Sequence, residues 1–111
     1  MSALNRFLTS GGTNAFTSLT AVSTTPASGK QHVVGSFIIA NVSGNALNID
    51  ATVQNGGVDY YYVKGFPLQA GDSLFLHGLL GKVVLNNGDV LRVKSSVANG
   101  VDVVVSIAEE P

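Results

Sequence analysis

The sequence predicts an all-β protein: a single antiparallel β-sandwich or jelly-roll-like domain of seven or eight short strands, with an extended N-terminal arm. Turn signals recur at intervals typical of sandwich strands, apolar residues alternate with polar ones between them, and no stretch sustains a helical period for long. The clearest observation is a phrase that occurs twice. Leu68-Gln69-Ala70-Gly71-Asp72-Ser73-Leu74 returns seventeen residues later as Leu85-Asn86-Asn87-Gly88-Asp89-Val90-Leu91. Each copy reads as strand, tight turn, strand, in which Gly71 and Gly88 supply a positive φ and Asp72 and Asp89 bond the backbone nearby.

Residues 1–23 read as the arm and residues 24–111 as the sandwich domain. Leu4, Phe7 and Leu8 have the spacing of one or two helical turns, cut short by Gly11-Gly12, and Phe16 to Val22 alternates as a first strand would. The arm is rich in Ser, Thr, Asn and Gly, and two readings compete for it. Either it packs on its own domain, or it orders against a neighbouring subunit through Leu4, Phe7, Leu8 and Phe16.

Pro26 to Lys30 is a turn, closed by Gly29. Gln31 to Val42 is apolar on both faces, which predicts a strand covered on both sides, with Gly35 and Ser36 small enough to admit a close neighbour. Asn41 to Asn45 turns the chain into Ala46 to Val53, where Leu47, Ile49, Ala51 and Val53 face inward and Asn48, Asp50 and Thr52 face water. Gln54-Asn55-Gly56-Gly57 is a hairpin turn into Val58 to Val63. Strict alternation there places Tyr61 with Val63, and Tyr60 with Tyr62, before Gly65-Phe66-Pro67 ends the strand. Leu74 and Leu76 share one face and Phe75 and His77 the other, Gly78 to Lys82 is a loop, and Lys82 to Leu85 is a short strand. Leu91 and Val93 point inward, Asn99-Gly100 is a last hairpin turn, and Val101, Val103, Val105 and Ile107 form the inner face of the final strand. Alternation and turns alone fit a barrel as well as a sandwich.

Composition narrows the partners. Charged residues are 12% of the chain, about half the usual share, and the net charge is −1. Such a surface suits a subunit covered in an assembly better than a free monomer, and it lacks the basic stripe that nucleic acid requires. No apolar run reaches the length of a membrane span, and the N-terminus has no signal-peptide pattern, so a soluble protein made inside the cell is expected. With no cysteine, thiolate nucleophiles and sulfur-ligated zinc are excluded.

Taken together, Pro26 with Gly29-Lys30, the apolar strand ending in Asn41, the tyrosine-rich strand, Leu68-x-x-Gly71-Asp72, Gly88-Asp89-Val90-Leu91-Arg92-Val93 and the closing strand with Ile107-x-Glu109 resemble small structural proteins of tailed-bacteriophage virions. The resemblance covers approximately residues 24–110. It departs from the family's pattern at an extra residue in Pro26-Ala27-Ser28-Gly29-Lys30 and a longer Val63 to Pro67 connection. What it implies is a non-enzymatic β-sandwich subunit of a virion, made in the host cytoplasm. The first expectation is a capsid decoration or cement-type protein that bridges neighbouring shell proteins as a homo-oligomer, trimeric or otherwise cyclic. The alternative is a neck or tail module that binds a host-surface glycan or receptor through its tyrosine face.

The residues themselves point away from catalysis. His32 and His77 have no histidine, cysteine or acidic partner at metal-ligand spacing, and no Gly-x-Ser-x-Gly elbow positions a nucleophile. Gly78-Leu79-Leu80-Gly81-Lys82 lacks the spacing and the hydroxyl residue of a phosphate loop. Asp72 and Asp89 have too few acidic neighbours for a calcium site and read as turn residues. No metal, cofactor, nucleic acid or membrane partner is therefore expected. Tyr60 and Tyr62, with Phe75 nearby, are the candidates for a sugar platform or an interface anchor, against the alternative of a sandwich core with hydroxyls at its rim.

Overall fold

The computed structural model describes residues 3–12, 15–76 and 83–110, with side chains described from residue 6 onward. Its strands are β1 (Ala3–Thr9), β2 (Thr20–Ala21), β3 (Gln31–Asn41), β4 (Leu47–Asn55), β5 (Val58–Leu68), β6 (Ser73–Phe75), β7 (Val83–Leu85), β8 (Val90–Ser95) and β9 (Val101–Glu110). Among the described residues there is no helix. Sheet I has the order β1-β9-β3, with β6 and β7 both paired to the far edge of β3, and sheet II has the order β2-β8-β4-β5.

Every pairing is antiparallel, and the pairings nest. β4 pairs with β5, β3 with β6 and β7, β2 with β8, and β1 with β9, so the chain is one long hairpin rolled up about the Gly56-Gly57 turn. That is the jelly-roll strand order, and it makes the fold a two-sheet sandwich rather than a barrel. Between the facing sheets, Phe37, Ile39, Val103, Val105 and Ile107 meet Ile49, Ala51, Leu91 and Val93, all almost inaccessible. Alternation along β8 and β9 places these side chains inward as the sequence predicts.

The repeated phrase has a structural meaning. Its first copy carries the chain from β5 in sheet II to β6 in sheet I, and its second carries it back from β7 to β8. In both, the aspartate amide donates to the carbonyl three residues earlier, Asp72 to Gln69 and Asp89 to Asn86, each at 3.0 Å. Gly71 and Gly88 have φ of 82° and 89°, as expected for glycine at this point of a turn. Leu68 and Leu74, and likewise Leu85 and Leu91, anchor both ends of each turn in the core. The copies sit at opposite ends of β3: Gly71 donates to the Asn41 carbonyl, whereas Asn86 accepts from the Gln31 side chain.

Several expectations are corrected. Leu4, Phe7 and Leu8 belong to a strand, not a helical turn, because β9 offers a free edge to which residues 3–9 add as β1. Gly11 follows with its amide on Asp102 and its Cα so close to β9 that a side chain would meet the Val101 carbonyl at 2.3 Å. Between Phe16 and Val22 only Thr20–Ala21 pairs as strand, and Phe16 takes φ 58° and enters the core. The segment 1–23 thus supplies an edge strand, a core phenylalanine and β2 to the sandwich itself.

In β3 a bulge between Val34 and Ser36 resets the alternation, so His32 and Val34, then Phe37, Ile39 and Asn41, all point inward. Gly35 is the extra residue, and a Cβ added there would meet the Ser106 carbonyl only at ordinary contact distance, 3.6 Å. The outer side of β3 is half-exposed rather than covered. β5 runs through Gly65-Phe66-Pro67 to Leu68 instead of ending there, because two bulges absorb its surplus residues against β4 and Pro67 lies on an edge strand. Thr52 is fully buried rather than wet, and Asn99-Gly100 crosses from sheet II to sheet I rather than closing a hairpin. His77 and the Gly78 to Lys82 loop lie outside the described residues.

Two stability predictions follow from the turns. A Cβ at Gly71 would meet nothing within 4 Å, so Gly71→Val tests backbone strain alone, and both it and Gly88→Val are expected to cost more than about 1 kcal/mol in urea unfolding. Asp89→Ala is expected to cost about 1–3 kcal/mol and Asp72→Ala less. The Asp89 carboxylate is buried and accepts from the Asn86 amide and the Asn55 side chain, whereas Asp72 is exposed.

Candidate functional site

The residues predicted to bind a partner separate into three places. Phe16 is in the core at 2% exposure, and Phe7 packs against the core from β1, so neither is presented outward. Leu4 pairs with Ala108 in the β1–β9 ladder, and its side chain lies outside the description. Leu8 and Phe75 are 63% and 51% exposed on the outer side of sheet I. Tyr60 and Tyr62 are on β5, at the edge of sheet II. Phe75 therefore belongs to the opposite sheet and not with the tyrosines.

On sheet I the register brings Leu8 and Phe75 into one row. Leu8 pairs with Val104, Val104 with Ile38, and Ile38 with Phe75, so four apolar side chains cross β1, β9, β3 and β6 in line. A second row runs through Ala108, Val33 and Val84. Between the rows lie Arg6, Ser106 and Ser36, and Asp102 and Glu110 stand at the two ends of β9. Val104, Ile38, Val33 and Val84 were not among the predicted site residues. The signal for them was present in the doubly apolar β3, which reads as a strand with an apolar face to spare.

The outer side of sheet II is chemically different. Asn48, Asp50, Gln54, Arg92 and Lys94 line it, and Thr52 lies beneath a hydrogen-bonded group. Arg92 donates to Asp59 at 3.1 Å and to the Leu19 carbonyl at 2.8 Å, and the Thr52 hydroxyl donates to the same Asp59 carboxylate. This side therefore carries more charge and more side-chain hydrogen bonding than the outer side of sheet I.

The tyrosine edge lies between them. Because a bulge leaves Tyr62 without an opposite residue, Tyr60 falls on the side of Val53 and Val63, and Tyr61 on the outer side with Thr52. Strict alternation would have placed them the other way. The three rings are 57%, 46% and 39% exposed, and Lys64 Nζ sits 5.1 Å above the Tyr61 ring as a cation–π contact. Burial, and secondarily the negative charge of Asp89, hold the Tyr62 phenol above its ordinary value.

The polar candidates do not converge. His32 is buried with Nε2 3.2 Å from Glu109 Oε1, its direct neighbour across the β3–β9 ladder. Its Nδ1 has no hydrogen-bond partner among the described residues. Asp72 and Asp89 occupy turns at opposite ends of β3 and cannot share one ion. Among the described residues no three His, Cys, Asp or Glu side chains cluster as a metal would need.

A pH prediction follows from Tyr62. A folded-state value raised above the unfolded one, about 10, means that its contribution to stability is complete below that pH and is lost as pH rises further. Tyr62→Phe is expected to lessen the alkaline loss of stability, and Asp89→Asn to lower the Tyr62 ionisation pH in an ultraviolet titration. Compared with protein families, curated proteins and solved structures, the chain matches no family model, no curated protein and no solved structure.

Proposed function

We propose that the chain is a non-enzymatic structural subunit of a bacteriophage virion, of the capsid decoration or cement type, which bridges neighbouring shell proteins as part of a larger assembly. The observation that carries this reading is the difference between the two outer faces: two apolar rows cross sheet I, one of them from Leu8 to Phe75, opposite a more charged face on sheet II. Apolar area left in water costs roughly 25 cal/mol per Å², so exposed rows of this kind favour a contact surface. The low charge of the chain and the jelly-roll order, an architecture that recurs in viral capsid and lectin domains, fit the same role. Held at several contacts, each copy would oppose local dissociation of the others through effective concentration.

A second reading is favoured by one specific observation, the exposure of Tyr60, Tyr61, Tyr62 and Phe66 along a single edge strand. Exposed aromatic rings, three of them with hydroxyls, suit a glycan, which would make the chain a tail or neck module contacting the host surface. Quantitative mass spectrometry of purified particles tests both. A fixed ratio to the major shell protein is the expected result, a fixed ratio to tail components favours the second reading, and absence from particles overturns the proposal.

A further inference from the structure

We infer that the outer face of sheet I is the interface for a second copy of this chain, packed face to face about a two-fold axis that runs along the strands between β9 and β3. The pairing deepens the assembly role proposed above and rests on it in that the chain works as an oligomer. Four strands at a spacing of about 4.8 Å and the ten residues of β9 at about 3.3 Å per residue give a face roughly 14 Å by 30 Å between backbone atoms. With its side chains, such a face offers an area of the order of the roughly 800 Å² per partner that a standard stable interface buries.

Charge selects the occupant and the axis. An axis along the strands lays the row Leu8, Val104, Ile38, Phe75 on its own reversed copy, so that Leu8 faces Phe75 and Val104 faces Ile38. The same operation sets Asp102 against Ala40 and Glu110 against Gln31, since these pairs are neighbours across β9 and β3, so the two carboxylates at the ends of β9 meet no like charge among the described residues. An in-plane axis across the strands would instead stack Asp102 on Glu110, which repels. Sheets packed in the aligned manner adopt the geometry that the first axis generates. The β5 edge is a poorer route to association, because it is interrupted by two bulges and Pro67 and carries Lys64.

Sedimentation equilibrium of the full chain tests the inference. Wild type is expected to be dimeric, and Val104→Lys and Leu8→Glu to weaken the dimer by at least about 100-fold while circular dichroism stays that of a folded β-protein. Tyr61→Ser, on sheet II, should leave the dimer intact. The chain has no cysteine of its own, so a crosslink provides a second measurement that does not depend on the charged variants folding. Val104→Cys with a short bismaleimide should give covalent dimer, whereas Tyr61→Cys, on sheet II, should give little. A wild type that stays monomeric, a dimer that survives Val104→Lys, a trimer, or equal crosslinking of Val104→Cys and Tyr61→Cys would overturn the pairing. None of those outcomes changes whether the chain is found in particles, so failure of the dimer and failure of the virion role are told apart.

Discussion

The long ladder between β3 and β9 is the constraint on which the other parts of the structure depend. It runs from Gln31 opposite Glu110 to Asn41 opposite Val101 and forms the middle of sheet I. β1 can add only because β9 presents its other edge, and β6 and β7 share the far edge of β3. Both repeated turns are tied to the ends of β3, through Asn41 and Gln31. Asn41 does further work at its end: its side-chain amide donates to the carbonyls of Asn45 and Leu68, and its Oδ1 accepts from Ser43, so a buried polar residue is fully engaged. The bulge at Gly35 keeps the ladder in phase with the core on both of its sides. Without it, either Val34 or Phe37 and Ile39 would be turned out to solvent.

What was legible in the sequence was whatever depended on local rules. The turns at Gly71 and Gly88 needed no partner to be recognised, because a positive φ before an aspartate is a local property. Period-two alternation in β8 and β9 likewise identified Leu91, Val93, Val103, Val105 and Ile107 as core. Bulges were not legible, since the extra residue is defined by the register of a neighbouring strand. The bulge at Tyr62 in β5 reversed the assignment of the tyrosines, and one in β3 turned an apparently two-sided apolar run into an inner face and a half-exposed outer one. The N-terminal segment misled for a related reason. The spacing of Leu4, Phe7 and Leu8 fits a short helix in isolation, but seven residues beside an open strand edge gain a full ladder instead.

The candidate surface was half legible. Leu8 was singled out as an apolar residue of a polar segment and Phe75 as a neighbour of the tyrosines, yet their alignment through Val104 and Ile38 follows from three separate ladders that no local pattern encodes. The tyrosines were conspicuous by type, and their position on a bulged edge explains why they stay exposed without inviting another strand. The difference between a more charged outer face on sheet II and the apolar rows across sheet I is the property that joins the fold to the proposed role. It requires both of the jelly roll's central strands in sheet I, β9 and β3, to spend apolar side chains on two faces.

The most direct measurement of that claim is the solvent exposure of individual methyl groups in solution, read by NMR relaxation from a soluble nitroxide across a dilution series. The account predicts that the methyls of Leu8, Ile38, Val84 and Val104 are shielded at high concentration and become accessible on dilution, while those of Ala21 and Val58, on sheet II strands, do not change. Methyls on the outer face of sheet I that relax equally at every concentration, and as fast as those of Val58, would contradict it.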